Sequence, residues 1–163
     1  MEVTNIIEKL PRHPDRKYPN RPLTQIKFID IHHSASWTKD YQGIQTIKNF
    51  AHGHINDRKW PGLGYNYVVG PDGRLFKTGY DAQMRWSVGN HNRNALSLML
   101  IGMFNVEDVP EKQWEIATLW VKHIRQAYGV GVDRVKGHRE FSGHNANQCP
   151  GFSMERFRDA VNL

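Results

Sequence analysis

Residues 26–34, IKFIDIHHS, decide the fold. Apart from Lys27 and Asp30, the residues ahead of the two histidines are apolar, which is typical of a strand covered on both faces. Open α/β sheets bind their ligands near the carboxyl ends of such strands. A strand over residues 25–33 therefore places His32 and His33 where a functional site is expected.

The remaining sequence supplies the other elements of an α/β fold. Apolar runs and the turn signal GPDG at 70–73 predict strands over residues 25–33, 65–69, 74–77, 95–104 and 134–136. Apolar stripes at helical spacing and capping residues predict helices over residues 40–51, 110–129 and 154–161, the first capped by Asp40. This order predicts a single domain with a central mixed β-sheet flanked by helices. His52 and His54, at the end of the first helix, are interpreted as surface residues.

Residues 1–24 do not show the regular alternation of strands and helices that is predicted for the rest of the chain. We predict a short helix that Ile6, Ile7 and Leu10 attach to the body, followed by a proline-rich arm, because proline cannot continue a helix or sit in a central strand. We expect residues 25–163 to form the catalytic domain, on which residues 1–24 pack.

The composition argues against a nucleic-acid motif and against an internal disulfide. The chain has 22 Lys and Arg against 16 Asp and Glu, for a net charge of +6. These basic residues are dispersed, which indicates a general attraction to anionic polymers and no nucleic-acid motif. A single cysteine cannot form an internal disulfide.

Membrane insertion is not expected, because no segment approaches the roughly 18–20 apolar residues that cross a bilayer. The first ten residues also lack the apolar core of a signal peptide. We expect a chain made in the cytoplasm that reaches any site outside the cell by another route.

A second stretch, GHRE at 137–140 followed by CPG at 149–151, places a histidine and the only cysteine eleven residues apart in a loop. Imidazole and thiolate are typical zinc ligands, but two ligands are too few. The first strand offers the third, so the predicted site is His32, His138 and Cys149. Three protein ligands leave one tetrahedral position open, as in catalytic zinc sites. The alternative is a small buried cysteine and a chance pairing among nine histidines.

Zinc at such a site would polarise a carbonyl and lower the pKa of a bound water from 15.7 toward about 7, which favours amide or ester hydrolysis. Tyr65, at the start of its strand, is the candidate for orienting water or stabilising the oxyanion. Packing as an ordinary strand residue is the alternative for this tyrosine.

Several motifs, in order along the chain, resemble the zinc-dependent N-acetylmuramoyl-L-alanine amidases of type 2, which include phage lysozymes and the peptidoglycan recognition proteins. They are IHHSA at 31–35, GYNYVVGPDG at 64–73, VGNH at 88–91, LIG at 100–102, GHRE at 137–140 and CPG at 149–151. The resemblance covers about residues 25–158. It implies cleavage of the amide between N-acetylmuramic acid and L-alanine in peptidoglycan, by a monomeric phage endolysin or autolysin acting at the cell wall.

The resemblance also implies roles for single residues. His32, His138 and Cys149 match the zinc ligands, Tyr65 matches the catalytic tyrosine, and His91 matches a groove histidine that touches substrate. Asn147 occupies the position of a lysine or threonine that assists the transition state in many members. An amide can donate a hydrogen bond there but carries no positive charge.

The polar loop over residues 78–94 is expected to line the substrate groove, with Arg85, Asn92 and Arg93 beside His91. The two arginines would bind carboxylates of the stem peptide, for which a guanidinium is well suited. Two other functions stay open: a recognition module that binds muropeptides without cutting them, and a zinc peptidase that cuts within the stem peptide.

Overall fold

Six strands form one mixed sheet in the computed structural model, which describes residues 1–162. The strands are β1 (Val3–Asn5), β2 (Phe28–His33), β3 (Tyr67–Val69), β4 (Leu75–Lys77), β5 (Ala95–Leu100) and β6 (Val135–Gly137). The helices are α1 (Ile44–Asn56), α2 (Glu111–Tyr128) and α3 (Met154–Val161). The predicted fold, a mixed sheet flanked by helices, is confirmed.

The sheet has the strand order β1-β4-β3-β5-β2-β6. The neighbours β3, β5, β2 and β6 are mutually parallel, whereas β4 returns antiparallel to β3 as the predicted hairpin. All six residues of β5 and the inner four of β2 are buried, because both faces of these strands are covered.

Alternation along β2 divides its side chains between two cores. Ile29 and Ile31 pack with α2 and α3 on one face. The other face carries a second core, which includes Met99 of β5 and Ile47 of α1. Asp30 and His32 point to that second face because they alternate with the two isoleucines, and both are buried.

The N-terminal helix prediction is wrong. Residues 3–5 form strand β1, which pairs with β4, and Ile7–Lys9 form a short 3-10 turn whose first amide donates to Asn5 Oδ1 at 3.0 Å. Backbone pairing with a distant strand outweighs local helix propensity here. The expected anchors Ile6, Ile7 and Leu10 are buried. The division of the chain at residue 25 stays a prediction.

The first predicted helix also differs in its bounds. Asp40 lies in a 3-10 turn rather than at the helix N-cap, and α1 begins after Gly43, whose φ of 63° suits glycine. His54 therefore lies inside α1, where its Nδ1 accepts a hydrogen bond from the Gly64 amide at 3.0 Å. His54 is half-buried, so its interpretation as a surface residue is wrong, whereas His52 is exposed.

The predicted ends of the other helices are confirmed. Gly129 follows α2 with a φ of 65°, the left-handed conformation that favours glycine at this position. Ser153 caps α3 by accepting a hydrogen bond from the Arg156 amide at 3.2 Å. None of the helices within residues 1–162 has both the length and the apolarity to cross a membrane.

Candidate metal centre

His32, His138 and Cys149 meet on the second face of the sheet, near the carboxyl ends of β2 and β6. One donor atom from each residue lies within 4.8 Å of the other two. The sulfur of Cys149 is 3.6 Å from Nδ1 of His32, and the two imidazole rings are 4.8 Å apart. Tetrahedral zinc with bonds of about 2.0–2.3 Å separates its donors by roughly 3.5 Å, so this group fits one zinc ion.

Strand pairing explains the meeting of the two histidines. Gly137 of β6 pairs with Ile31 of β2, so His138 leaves β6 at the level of His32. Gly137 also admits the cysteine loop, because a Cβ there would lie 2.7 Å from Pro150. A larger residue at 137 would push the loop that carries Cys149 away from the sheet.

His32 is held by a buried carboxylate. Its Nε2 lies 2.7 Å from Oδ2 of Asp30, and the two side chains are 1% and 0% exposed. Burial lowers the pKa of His32, but the hydrogen bonds to Asp30 and Cys149 outweigh it and raise that pKa to about 9. The carboxylate of Asp30 is hydrogen-bonded to Nε2 of His32, which leaves Nδ1 facing the sulfur of Cys149. An outer partner of this kind orients a metal-binding histidine.

His138 is held by another histidine. Its Nε2 lies 2.9 Å from Nδ1 of His144, and Nε2 of His144 lies 2.9 Å from the carbonyl oxygen of Gly89. Burial and the charges of His32 and His144 lower the pKa of His138 to about 4. His138 is therefore neutral at pH 7, which is the form that binds a metal.

Cys149 completes the group from a half-buried position. Its sulfur accepts a hydrogen bond from the His33 amide at 3.4 Å, and its own amide donates to Asn147 Oδ1 at 3.0 Å. The Cys149 carbonyl accepts from the Arg139 amide at 3.1 Å. Backbone hydrogen bonds thus fix the thiol against the end of β2.

Tyr65 lies beside the centre, with its ring 5.1 Å from that of His32. Burial, with the negative charges of Cys149 and Asp30, raises the pKa of its phenol. The hydroxyl therefore stays protonated at neutral pH and can donate a hydrogen bond. This position agrees with the expected one, and the catalytic role itself stays a prediction.

His91 reaches the edge of the centre. Its ring lies 6.1 Å from that of His144, and its Nε2 is 3.1 Å from the Ser142 carbonyl oxygen. Asn92 shapes the same loop, since its Oδ1 accepts from the Val88 amide at 2.8 Å. Contact of these two residues with substrate stays a prediction.

Two other predicted residues make their hydrogen bonds elsewhere than to the three candidate ligand side chains. Asn147 uses both ends of its amide on its own loop, donating to the His144 carbonyl at 2.5 Å and accepting from Cys149. Arg93 is exposed and donates to Gln25 Oε1 at 3.0 Å, next to the amino end of β2. At about 3.3 Å per strand residue, that end lies roughly 17 Å from the end that carries the histidines. The structure thus does not bring Arg93 to the site.

Arg85 does not reach the centre either. It is 7% exposed and donates to the carbonyl oxygens of Leu63 at 2.9 Å and Thr78 at 3.1 Å. Its guanidinium stacks over the Tyr18 ring at 4.5 Å. The prediction that it binds a substrate carboxylate in the groove is corrected, because irregular loops need donors for their carbonyls and Arg85 supplies them.

Sequence reasoning missed two residues of the centre, Asp30 and His144. Each had a signal: Asp30 is an acid inside an apolar strand, two positions before a histidine, and His144 is a histidine within the loop that joins the two predicted ligands.

Comparisons with known proteins agree with this architecture. The family model described as N-acetylmuramoyl-L-alanine amidase matches residues 22–152. Peptidoglycan-recognition protein SD of Drosophila melanogaster is 29% identical over 115 residues, which are 69% of this chain and 58% of that protein. The chain therefore spans less than two thirds of that relative.

Solved structures share the fold. The endolysin N-acetylmuramoyl-L-alanine amidase LysCS from Clostridium intestinale superposes with a TM-score of 0.78 at 18% identity, covering 99% of this chain and 96% of that one. Peptidoglycan recognition protein LE, in complex with the monomeric diaminopimelic acid-type peptidoglycan tracheal cytotoxin, gives a TM-score of 0.77 at 22% identity, covering 91% and 87%.

Proposed function

The chain belongs to the N-acetylmuramoyl-L-alanine amidase family, and on that basis we propose that it hydrolyses the amide between N-acetylmuramic acid and L-alanine in peptidoglycan, with zinc as cofactor. The observation that carries this proposal is the convergence of two imidazoles and one thiol within 4.8 Å. Nitrogen and sulfur donors of this kind favour zinc, and three of them leave a position for substrate or water.

Bound zinc would supply Lewis-acid chemistry, polarising the scissile carbonyl and lowering the pKa of a water molecule. The protein's own residues do the rest. Asp30 and His144 fix the two imidazole rings through the nitrogen that faces away from the centre. Tyr65 offers a protonated phenol that donates to the oxygen on which negative charge develops.

Peptidoglycan is the proposed partner. The structural relatives include an endolysin amidase and a recognition protein bound to a peptidoglycan fragment. The loop that carries His91 and Asn92 borders the centre and is the proposed substrate-facing wall. We further propose that the chain acts as a monomer at the bacterial cell wall.

Product analysis tests the proposal. Purified peptidoglycan is digested with zinc-loaded protein, and the soluble products are identified by mass spectrometry with a chelator-treated sample as control. The expected products are stem peptides with a free L-alanine amino terminus, released only by the zinc-loaded sample. Cuts within the stem peptide would instead identify a peptidase.

A muropeptide-binding module is the second candidate, and the position of Asn147 favours it. The amide of that residue is engaged by its own loop and so does not assist the centre as a lysine would. Tight pelleting with cell walls, without released peptide at any zinc concentration, would establish this alternative.

A further inference from the structure

A cavity of about 410 Å³ lies between the N-terminal arm and the loop that follows β4. Its walls come from residues 7–20, 61–63 and 78–85. None of the three candidate metal ligands lines it. The cavity is therefore a second concave site that amide hydrolysis leaves unexplained.

The lining of this cavity is strongly basic. Its lining includes Arg12, Arg16, Lys17 and Arg85 against a single acid, Glu8, so four positive charges face one negative charge and leave an excess of three. Glu8 is already paired with Arg12. The remaining cationic groups lack an acidic counterpart in the cavity wall.

Arg85 is the deepest of these charges. Within residues 1–162, the acceptors of its guanidinium are neutral: the carbonyl oxygens of Leu63 and Thr78 and the side-chain oxygen of Gln83. Its Nε is buried and has no hydrogen-bond partner within residues 1–162. Burial lowers the pKa of Arg85 to about 10, although the phenol of Tyr18 beneath the guanidinium acts in the opposite direction. A buried charge is normally paired with an opposite one, because desolvation is costly.

Arg21, a second buried arginine, has carboxylates near it. It is 4% exposed and also donates to carbonyl oxygens, among them those of Asn92 and Ala95. Burial lowers its pKa, but the negative charges of Asp30 and Asp81 act against that effect. Within residues 1–162, Arg85 has only the phenol of Tyr18 in that role and no carboxylate, so the cavity beside it is where an anion would complete the pairing.

We propose that this cavity binds a phosphate group, carried as a monoester or diester on a larger ligand. Phosphate matches the site better than a single carboxylate, because it can hold two negative charges and accept several charge-assisted hydrogen bonds from guanidinium groups. Lys17, which is exposed on the arm, would add a mobile charge at the mouth. The half-buried ring of Pro11 and the exposed ring of Pro14 offer apolar surface for the non-phosphate part of the ligand.

Calorimetric titration of the full chain with glycerol 3-phosphate and with inorganic phosphate tests this site. Ionic strength is held constant with sodium chloride, since exposed charges are screened over about 10 Å at 0.1 M. We expect saturable binding with one site per chain. Saturation by glycerol 3-phosphate alone would assign the site to phosphate esters, and saturation by both would assign it to phosphate in general. Sodium acetate should give no saturable heat, and equal binding of acetate would overturn the preference for phosphate.

Variants locate the site. The arm variant, Lys17→Ala combined with Arg16→Ala, alters only exposed side chains and should weaken binding at least tenfold, whereas Lys112→Ala, exposed on α2, should leave it unchanged. Arg85→Met should abolish binding, and if that variant does not fold, the arm variant still decides. Equal affinity in the arm variant and the Lys112 control would overturn the proposal. Peptidoglycan hydrolysis is a separate readout, so the two proposals fail independently.

Discussion

His32 and His138 meet at the same point of the sheet, but the two side chains are held in place in different ways. His32 is part of β2, which is hydrogen-bonded to β5 on one side and β6 on the other, and its ring is held by the buried carboxylate of Asp30. His138 begins a 3-10 turn just after β6, and its ring is held by His144 from a loop. Regular backbone pairing fixes His32, the strand half of the centre. The loop half, His138 and Cys149, depends on hydrogen bonds made by loop residues.

The two supports also differ in charge. The Asp30 carboxylate favours a protonated His32, while burial and, to a smaller extent, its histidine neighbours keep His138 neutral. His32 and Cys149 would therefore each have to lose a proton to hold a metal, whereas His138 would already offer a free nitrogen. Substitutions on each side separate these contributions.

The largest effect is expected from Cys149→Ser, which removes a proposed ligand from the loop half. A hydroxyl is a poor zinc donor, so zinc affinity should fall by more than the roughly 100-fold upper range for loss of an outer partner. Turnover of peptidoglycan should fall with it. Chelator competition measures the affinity and product release measures turnover; unchanged turnover in a folded variant would remove the thiol from the proposal.

Asp30→Asn tests the strand half with almost no change in shape. The amide cannot supply the negative charge that orients His32 and raises its basicity, so zinc affinity should fall about 10- to 100-fold. Asp72→Asn, at the exposed turn between β3 and β4, is the matched control. Affinity equal to that of the control would mean that backbone pairing alone holds His32.

His144→Ala tests the loop half in the same way, by cutting the contact between His138 and the Gly89 carbonyl. We expect a decrease in zinc affinity of about tenfold, the lower end for an outer partner, because the lost neighbour is an imidazole and not a carboxylate. Ser142→Ala, exposed in the same loop, should have no effect. A decrease larger than that of Asp30→Asn would reverse the ranking of the two halves.

Asn147→Ala should have the smallest effect on chemistry. Its hydrogen bonds to the loop backbone contribute about 1 kcal/mol each, so the loss should appear mainly as a lower Tm. The kcat should stay within a few fold of the parent. A decrease of about 100-fold or more, typical of a lost oxyanion donor, would show that this amide turns toward the substrate.

Local patterns predicted much of this fold. A largely apolar run ending in histidines marked β2 and one ligand, the GPDG turn marked the hairpin, and Gly129 marked the end of α2. These features depend on neighbours in sequence, so a single chain reveals them.

The errors concern features that depend on distant partners. Residues 3–5 become a strand only because β4 offers its edge, and Arg85 turns inward because loop carbonyls far along the chain need donors. His144 reaches His138 only after the loop has folded back. The residue types alone predicted which side chains could be ligands. The partners that hold those ligands could be identified only from the three-dimensional fold.

X-ray absorption at the zinc edge of the metal-loaded protein tests most directly whether two imidazoles and one thiolate hold an open zinc centre. We predict one sulfur at about 2.3 Å and three lighter donors at about 2.0 Å, one of them exchangeable. A spectrum with no sulfur in the first coordination shell would contradict the account.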